Sequence, residues 1–330
     1  MEITKAFIRS LSRLGQRAAF FGIAMPEIAK EQDNLMVLTA DLAQLSNLER
    51  FSAQYPDKFL NVGIAEQNMI GIAAGLAMEG DLVYATTYAS FLAVRDLEHI
   101  RQHLSNLRLN VKLIGTAAGV VAARSGVAHW ASEDITFLRA LPNITVMSAA
   151  DSLEAYYMAQ YSAIYNGPMY IRLNGAPNCP IIYEEGYIFE PEKISIIKKG
   201  ASVALLACGL MVKEALECAR ILEEKGISCT VANVHTIKPL DRETLDQVFV
   251  SHKLIVTMEE HSIIGGMGSA VAEYKATKSD VPPQIFIGFP DSFTVAGTAR
   301  YIWEQFKMTA TQVAETILAK LGQEGDINDR

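Results

Sequence analysis

The stretch that decides the fold is Asn61-Val-Gly-Ile-Ala-Glu66-Gln-Asn-Met-Ile-Gly71-Ile-Ala-Ala-Gly75-Leu-Ala77. It predicts a strand that ends near Gly63 and a helix that begins near Ala65, so that Glu66 lies in the first helical turn. In an open parallel sheet this position is at the carboxyl edge, where such sheets bind ligands. Burial there would favour the protonated carboxyl. We expect burial to outweigh the opposing field of the helix N-terminus, which is typically worth under about 1 kcal/mol.

The helix that follows Glu66 has almost no side-chain bulk, because Gly71, Gly75 and three alanines recur along it. Each glycine in a helix interior costs up to about 1 kcal/mol. Two of them on one helix therefore predict that another backbone packs very close. The residues alone leave a second interpretation of Glu66 open, in which it is only an acidic residue that stabilises the start of a helix.

Strand and helix patterns alternate along both halves of the chain. Predicted strands are Leu35–Thr39, Phe59–Gly63, Leu82–Thr86, Val111–Gly115, Ile144–Met147, Met169–Leu173, Val203–Ala207, Ser228–Val234, Leu254–Met258 and Gln284–Gly288. Predicted helices are Ala65–Met78, Phe91–Asn106, Glu133–Leu141, Ser152–Tyr165, Met211–Lys225, Arg242–Phe249, Met267–Lys278 and a last helix from about Thr298. Strands separated by helices of this length favour parallel sheets covered on both faces. We therefore predict an α/β fold of two doubly wound domains, residues 1–176 and 201–330, with a linker at 177–200.

Composition excludes several classes of protein. The 330 residues are 50% hydrophobic and 20% charged, which allows a large core and rules out wholesale disorder. The 29 basic and 37 acidic residues give a net charge of −8, so the chain has no excess of basic charge for nucleic acid. Its longest apolar stretch, Met69–Met78, is about half of the roughly 20 residues that span a bilayer. Four cysteines without metal-ligand spacing, and a start that lacks the pattern of a signal peptide, predict a cytoplasmic protein.

The order of further segments resembles the transketolase-type thiamine diphosphate enzymes over nearly the whole chain. After the Glu66 stretch, the matching segments are Tyr84-Ala-Thr-Thr-Tyr88-Ala-Ser-Phe91-Leu92, Asn110-Val-Lys-Leu-Ile-Gly-Thr116, Gly126-Val-Ala-His129, Met169-Tyr-Ile-Arg172, His235-Thr-Ile-Lys-Pro-Leu-Asp241 and Glu259-Glu-His-Ser-Ile-Ile-Gly-Gly-Met-Gly268. The resemblance implies that the first domain is a pyrimidine-binding domain and the second a transketolase C-terminal domain.

The resemblance also implies how the cofactor is bound. In this family a glutamate at the Glu66 position hydrogen-bonds the aminopyrimidine of thiamine diphosphate and favours the imino tautomer, whose nitrogen removes the thiazolium C2 proton. Phe91 matches an aromatic residue that lines the pyrimidine pocket, with Tyr88 nearby, although packing at the sheet edge could account for both. Leu42, and with it Asp41, matches a segment that touches the cofactor across the subunit interface.

The same resemblance assigns the contacts to substrate. His129 matches a histidine that contacts a substrate hydroxyl or oxyanion, and Arg172 matches a phosphate-binding arginine. Arg17 corresponds to a second phosphate arginine, and Ser46 to a serine beside it. Without the resemblance, a lone histidine is more often structural, and an arginine at a strand end could equally form an ion pair.

The sugar half of the site departs from the family pattern. Ala117 stands where the family has a phosphate-contacting histidine, and Ser125 stands where transketolases have an aspartate that contacts the donor C2 hydroxyl. Trp130 replaces a glutamine. We therefore expect that Ser125 lines a rebuilt sugar site, and that the substrates differ from the usual pentose phosphates or are held differently.

The sequence lacks the Gly-Asp-Gly motif with which the family binds the diphosphate and Mg²⁺. A diphosphate needs a metal and oriented amides to neutralise its charge. The resemblance therefore implies an N-terminal partner subunit that carries the diphosphate domain, in an α2β2 heterotetramer with sites at its interfaces. The implied function is that of the C-terminal subunit of a split transketolase, which moves a two-carbon ketol unit from a ketose, expected to be phosphorylated, to an aldose.

Other functions stay open. A β-type subunit of a 2-oxoacid dehydrogenase has the same two-domain plan, and a non-catalytic assembly partner could keep the fold without turnover. A 1-deoxyxylulose-5-phosphate synthase is less favoured, because that family keeps its domains in one longer chain. The segment Gly63-Ile-Ala-Glu66-Gln67, together with His129, favours the transketolase branch, and the retained Glu66 favours activity.

Overall fold

Two sheets organise the chain, and they confirm the predicted α/β fold. The computed structural model describes residues 3–328, with side chains described as far as residue 322. Within this range the strands are β1 Leu35–Thr39, β2 Phe59–Asn61, β3 Leu82–Tyr88, β4 Val111–Thr116, β5 Thr145–Ser148, β6 Met169–Arg172, β7 Ser195–Lys198, β8 Val203–Ala207, β9 Cys229–Asn233, β10 Thr236–Lys238, β11 Leu254–Ser262 and β12 Gln284–Phe289. The first sheet has the order β10-β5-β6-β4-β3-β1-β2, and the second has the order β12-β11-β8-β9-β7. The strands run parallel except at one edge of each sheet, where β10 is antiparallel to β5 and β7 is antiparallel to β9.

Helices connect the strands. In the described range they are α1 Lys5–Leu14, α2 Met25–Glu31, α3 Glu49–Gln54, α4 Glu66–Met78, α5 Leu97–His99, α6 Asp134–Ala140, α7 Ser152–Ile164, α8 Met211–Glu223, α9 Arg242–Ser251, α10 Met267–Lys275, α11 Ala299–Gln305 and α12 Ala310–Asn328. π-helical segments precede α2 at Ala18–Ala24 and flank α5 at Phe91–Arg95 and Ile100–Ser105. Strands β4 and β8 are buried along their whole length, as expected of parallel strands with helices on both faces. None of the described helices is long and apolar enough to cross a membrane.

Two edge strands differ from the sequence prediction. Strand β7 lies inside the stretch 177–200 that was predicted to be a linker, and β10 comes from the second half of the chain but completes the first sheet. They contain only four and three residues, so their own sequence carries too little periodicity to reveal the pairing. The two halves are consequently interlocked, and one buried hydrophobic cluster extends from Ile8 to Ile317.

The candidate site lies at one edge of the first sheet. Strands β2, β1, β3 and β4 are neighbours and run parallel, so their carboxyl ends meet at this edge. The loop with Asp41 follows β1, α4 follows β2, the segment Phe91–Arg95 follows β3, and the loop 117–131 follows β4. The topology therefore gathers four separate stretches of sequence at the position where open α/β sheets bind ligands.

Candidate active site

Glu66 is the first residue of α4 and is buried, with 4% of its surface exposed. In the turn before it, Gly63 has a φ of 75°, which glycine adopts without strain. The Oε1 atom of Glu66 accepts a hydrogen bond from Nη1 of Arg95 at 2.6 Å. The carboxylate is thus buried, as the sequence predicts, and it pairs with Arg95, a residue outside the predicted site.

Tyr88, Phe91 and His129 form an aromatic cluster next to this ion pair. The Tyr88 and Phe91 ring centroids are 5.8 Å apart, and the His129 ring lies 5.9 Å from Tyr88 and 5.6 Å from Phe91. The Arg95 guanidinium carbon lies 4.5 Å from the centroid of the Phe91 ring, within the range of a cation–π contact. Arg95 therefore joins the aromatic cluster to the carboxylate of Glu66. The structure brings Glu66, the Tyr88–Phe91 segment and His129 together from three separate stretches of sequence.

The spacing of the sequence could have revealed Arg95. It follows Phe91 by four residues on a predicted helix, and residues four apart share a helix face. Arg95 therefore lies on the same helix face as Phe91, which is the face expected to line the pocket. A cation at this position can pair with Glu66, the acidic residue that begins the helix on the other side. The neighbouring Asp96 gave no such signal, because its burial depends on contacts between distant segments.

Several buried polar atoms at this edge lack partners among the described residues. They are Nδ1 of His129, Oγ of Ser46, Oγ1 of Thr87 and Oγ of Ser90. A buried donor or acceptor without a partner costs about 1–3 kcal/mol. An aromatic face, a buried carboxylate and unsatisfied polar atoms at a sheet edge together fit a polar heteroaromatic ring such as an aminopyrimidine.

The described residues offer no comparable site for a metal. No group of three or more His, Cys, Asp or Glu side chains is arranged to hold a metal ion among the described residues. The aromatic faces and the buried carboxylate of Glu66 fit the ring end of thiamine diphosphate.

Asp41 and Leu42 lie on the loop after β1. The backbone N–H of Asp41 donates to Oδ1 of Asn61 at 3.0 Å, and Nδ2 of Asn61 donates to the Asp41 carboxylate at 3.3 Å. This contact ties the loop to the end of β2, shortly before Glu66. Asp41 is exposed and Leu42 is half-buried. Both stand at the same sheet edge as Glu66, and their contact with a cofactor stays a prediction.

Arg17 contacts the backbone of the residue before Ser46, and the role of both in binding phosphate stays a prediction. Nη1 of Arg17 donates to the carbonyl oxygen of Leu45 at 2.5 Å, and Leu45 precedes Ser46, whose buried Oγ has no partner in the described part of the chain. Burial lowers the pKa of Arg17. The electrostatic effect of Tyr88 partly opposes this shift.

The loop 117–131 contains the residues at which the sugar site is expected to differ from the family pattern. Ser125 is exposed in a short helical turn, Ala123–Ser125, four residues before His129. Ala117 is buried and has a φ of 50°. Trp130 is buried, and its ring centroid lies 6.2 Å from those of Phe289 and Phe293. The tryptophan that replaces the family's glutamine thus packs against the second half of the chain.

The structure does not support the predicted phosphate contact of Arg172. Its side chain is 1% exposed and its Nε donates to Oδ2 of Asp134 at 2.8 Å. Its Nη2 donates to the carbonyl oxygens of Ala131 at 2.9 Å and Glu260 at 2.7 Å. Arg172 is therefore committed to buried partners from both halves of the chain, and we do not carry it into the candidate substrate site.

Comparison with known proteins identifies the family of the chain. Residues 16–176 match the family model described as the pyrimidine binding domain of transketolase, and residues 192–313 match its C-terminal domain. A putative transketolase C-terminal section from Methanocaldococcus jannaschii is 37% identical over 92% of this chain and 96% of its own length. A 6-deoxy-6-sulfo-D-fructose transketolase subunit from Clostridium sp. is 36% identical over 87% of this chain and 88% of its own length.

A solved structure gives the same result. It is described as a split gene transketolase in an inactive beta4 tetramer, and it superimposes with a TM-score of 0.82 at 36% identity, covering 93% of this chain and 97% of its own. The chain therefore belongs to the transketolase family, of which it contains the pyrimidine-binding and C-terminal domains.

Proposed function

We propose that the chain is the C-terminal subunit of a split, thiamine diphosphate-dependent transketolase, which transfers a two-carbon ketol unit from a ketose to an aldose. The observation that carries this proposal is the buried Glu66 carboxylate beside the Tyr88–Phe91–His129 cluster at the carboxyl edge of the first sheet. Similarity to split transketolase subunits supports it.

Each residue of the cluster has a role in this proposal. When bound, thiamine diphosphate supplies the nucleophilic carbon for cleaving and forming carbon–carbon bonds. Glu66 would hydrogen-bond the pyrimidine ring, and Arg95 orients its carboxylate. Phe91 and Tyr88 present aromatic faces, and Leu42 and Asp41 approach from the neighbouring loop. His129, whose Nδ1 has no partner in the described chain, orients a substrate hydroxyl.

The surface of α4 supports a partner subunit. No described atom lies within 4 Å of the position that a Cβ would take at Gly71 or Gly75, so the close packing predicted for these glycines does not occur within this chain. Ile64 and Met78, near the two ends of the helix, are 78% and 67% exposed. Exposed apolar side chains beside glycines suit a tightly packed interface. We propose that α4 packs on another subunit, and that an N-terminal subunit with the Gly-Asp-Gly domain holds Mg²⁺ and the diphosphate in an α2β2 heterotetramer.

The substrate is proposed to be an anionic ketose other than the usual pentose phosphate. Arg17 and Ser46 remain as an anion-binding pair, whereas Arg172 is occupied by Asp134 and Ala117 offers no polar group. Relatives named for a sulfo-sugar and for apulose 4-phosphate support an anionic ketose. Ser125, exposed near His129, would then contact the sugar hydroxyls.

The test is co-expression with a chain that carries a Gly-Asp-Gly domain, followed by calorimetry and a panel of ketose donors. We expect tight binding of thiamine diphosphate and Mg²⁺ by the complex only, and loss of turnover in Glu66→Gln. Glu79→Gln, at the exposed opposite end of α4, is the matched control and should stay active. Tight cofactor binding by the isolated chain would refute the split arrangement, and full activity of Glu66→Gln would refute the role of Glu66.

A further inference from the structure

The loop 117–131, which carries His129, is closed at its neck, the pairing of Gly119 with Ala131. The backbone N–H of Ala131 donates to the carbonyl oxygen of Gly119 at 2.9 Å, and the two residues form an isolated β-bridge. The ring of His129 packs on the other two rings of the aromatic cluster, but its Nδ1 has no partner in the described part of the chain. The direction of the His129 ring therefore depends on how the backbone of this loop is held.

Glu260 of β11, which is 1% exposed, holds the first end of the loop from the second half of the chain. Its Oε1 accepts from the backbone N–H of Val120 at 3.3 Å and from Nε1 of Trp303 at 3.1 Å. Its Oε2 accepts from Nδ2 of Asn174 at 2.8 Å. A Cβ at Gly119 would overlap the Glu260 carboxylate, so this side chain fills the space directly beside the neck. One carboxylate thus joins the loop to the segment after β6 and to α11.

The same strand holds the other end of the loop. The backbone N–H of Ser262 donates to the carbonyl oxygen of Ser132 at 2.7 Å, directly after the neck. The three donors to the Glu260 side chain are neutral N–H groups, and a carboxylate buried among neutral groups is costly. Apolar packing between the two halves would not need such a group. What Glu260 supplies is an acceptor for the loop backbone at a place that water does not reach.

We propose that Glu260 is a positioning residue for substrate binding, which fixes the neck of the loop 117–131 and, through the loop backbone, the ring of His129. Because Glu260 is buried, it acts through the loop and does not touch the substrate. It belongs to the segment 259–268, to which the proposed function gives no role. The C-terminal domain then takes part in substrate recognition, although the site lies on the first sheet. The inference rests on the proposed function, because only a substrate held by His129 gives the fixed loop this use.

Three variants separate positioning from stability. Glu260→Ala removes the acceptor of the Val120 N–H. In Glu260→Gln the amide oxygen can still accept from Val120 and Trp303. Its amino group can donate to Oδ1 of Asn174, which has no partner among the described residues, once the Asn174 amide turns over. Glu259→Ala is the matched control, because Glu259 is equally buried and accepts from two backbone N–H groups at the start of α10.

The first test needs neither cofactor nor substrate. In NMR spectra of the full chain with ¹³C-labelled histidine, His129→Gln assigns the His129 ring among the six histidines. In Glu260→Ala we expect this resonance to move toward that of an exposed histidine, because the ring leaves its aromatic neighbours. Glu260→Gln and Glu259→Ala should keep the parent position. An unmoved resonance in Glu260→Ala, or an equal movement in Glu259→Ala, would overturn the proposal. If Glu260→Ala does not fold, Gly119→Ala disturbs the same contact from the loop side and should move the same resonance.

The second test uses the assembled complex, with 6-deoxy-6-sulfo-D-fructose and D-fructose 6-phosphate as donors and D-glyceraldehyde 3-phosphate as acceptor. In Glu260→Ala we expect kcat/KM for the donor to fall roughly tenfold through a raised KM, the effect of losing one hydrogen bond of about 1.4 kcal/mol. The Kd for thiamine diphosphate should stay unchanged, because Glu66 keeps its contact with Arg95. Glu260→Gln should restore the parent KM, and Glu259→Ala should leave it unchanged. An unchanged KM in Glu260→Ala would overturn the inference while the proposed function stands. If neither donor reacts with the parent complex, the proposed function fails for these sugars, and the His129 resonance alone decides the inference.

Discussion

The guanidinium of Arg172 and the carboxylate of Asp134 form an ion pair of 2.8 Å whose side chains are 1% and 0% exposed. Asp134 also accepts from the hydroxyl of Tyr170 at 2.6 Å, and Arg172 reaches the backbone of Glu260 in β11. The pair thus joins the end of β6 to α6 and to the second sheet. Its burial explains why an arginine at the carboxyl edge of the sheet is not available to a substrate.

Loss of Arg172 should therefore reduce stability rather than substrate binding. Arg172→Met leaves Asp134 buried without its counter-ion, and breaking a buried pair in this way typically costs about 3–5 kcal/mol. Urea unfolding of the isolated chain measures the loss. The double variant Arg172→Met/Asp134→Asn should lose less, because it also removes the stranded charge. Arg220→Met, at an exposed pair, should change stability by at most about 1 kcal/mol. Unchanged stability with a raised KM for phosphorylated donors would restore the phosphate-binding interpretation.

The contrast between Arg172 and Glu66 shows what could be predicted from the sequence. The position of Glu66 depends on local patterns, a strand, a glycine turn and a helix start, and the predicted helix differs from α4 by one residue. Strands Leu35–Thr39 and Val203–Ala207 have the predicted bounds because each is a short apolar run in a parallel sheet. The partners of Arg172 lie 38, 41 and 88 residues away, and no local pattern reveals such contacts.

Contacts between distant segments also explain why the sequence does not predict the edge strands or the burial of Asp96. The segment Thr236–Lys238 becomes β10 only because the first sheet has a free edge at β5. Asp96 follows Arg95 in what looks like an ordinary amphipathic helix, and its burial arises where α4 and α6 pack on that helix. Long-range packing decides both features.

Glu154 should make stability depend on pH. It is 0% exposed and accepts from Nδ2 of Asn233 at 2.9 Å and from the amide of Ala150 at 2.7 Å. Burial is the main cause that raises its pKa to about 8. The unfolded value is near 4.3. A raised folded pKa means that this contribution to stability is fully present below the unfolded pKa and is lost as pH rises through about 8.

Thermal and urea unfolding of Glu154→Gln between pH 5 and pH 9 tests this sign. The free energy of unfolding of the unmodified chain should fall as pH rises, by up to about 1.4 kcal/mol per pH unit from this group. Glu154→Gln keeps an acceptor for Asn233 and cannot ionise, so its curve should be flatter. Parallel curves for the two proteins would show that Glu154 is ionised in the folded state throughout this range.

Phe91 should contribute to cofactor affinity through its ring face. Phe91→Leu keeps apolar bulk but removes the ring face that contacts Arg95 and His129. Contacts between aromatic rings contribute about 0.5–1.5 kcal/mol in addition to the free energy of burying their apolar area. We expect the Kd of the assembled complex for thiamine diphosphate to rise up to roughly tenfold, measured by calorimetry. Phe91→Tyr retains the face and should bind nearly as tightly. If the Phe91→Leu complex and the unmodified complex bind thiamine diphosphate equally well, Phe91 serves only in the packing of the sheet edge.

A substitution at Gly75, on the exposed face of α4, tests the assembly of the chain with its partner separately from the folding of the chain. Gly75 lies in a helix with no described atom within 4 Å of its Cβ position, so Gly75→Leu should fit the isolated chain and keep its circular dichroism spectrum. Leucine also has a helix propensity about 0.8 kcal/mol better than glycine. The added side chain would meet any backbone packed on this face, and light scattering after co-expression should therefore show loss of the complex with the Gly-Asp-Gly chain. Gly322→Leu, at another open position far along the chain, is the control and should assemble normally. A Gly75→Leu chain that forms the full heterotetramer would mean that the partner binds elsewhere, and the low bulk of α4 would then need a different explanation.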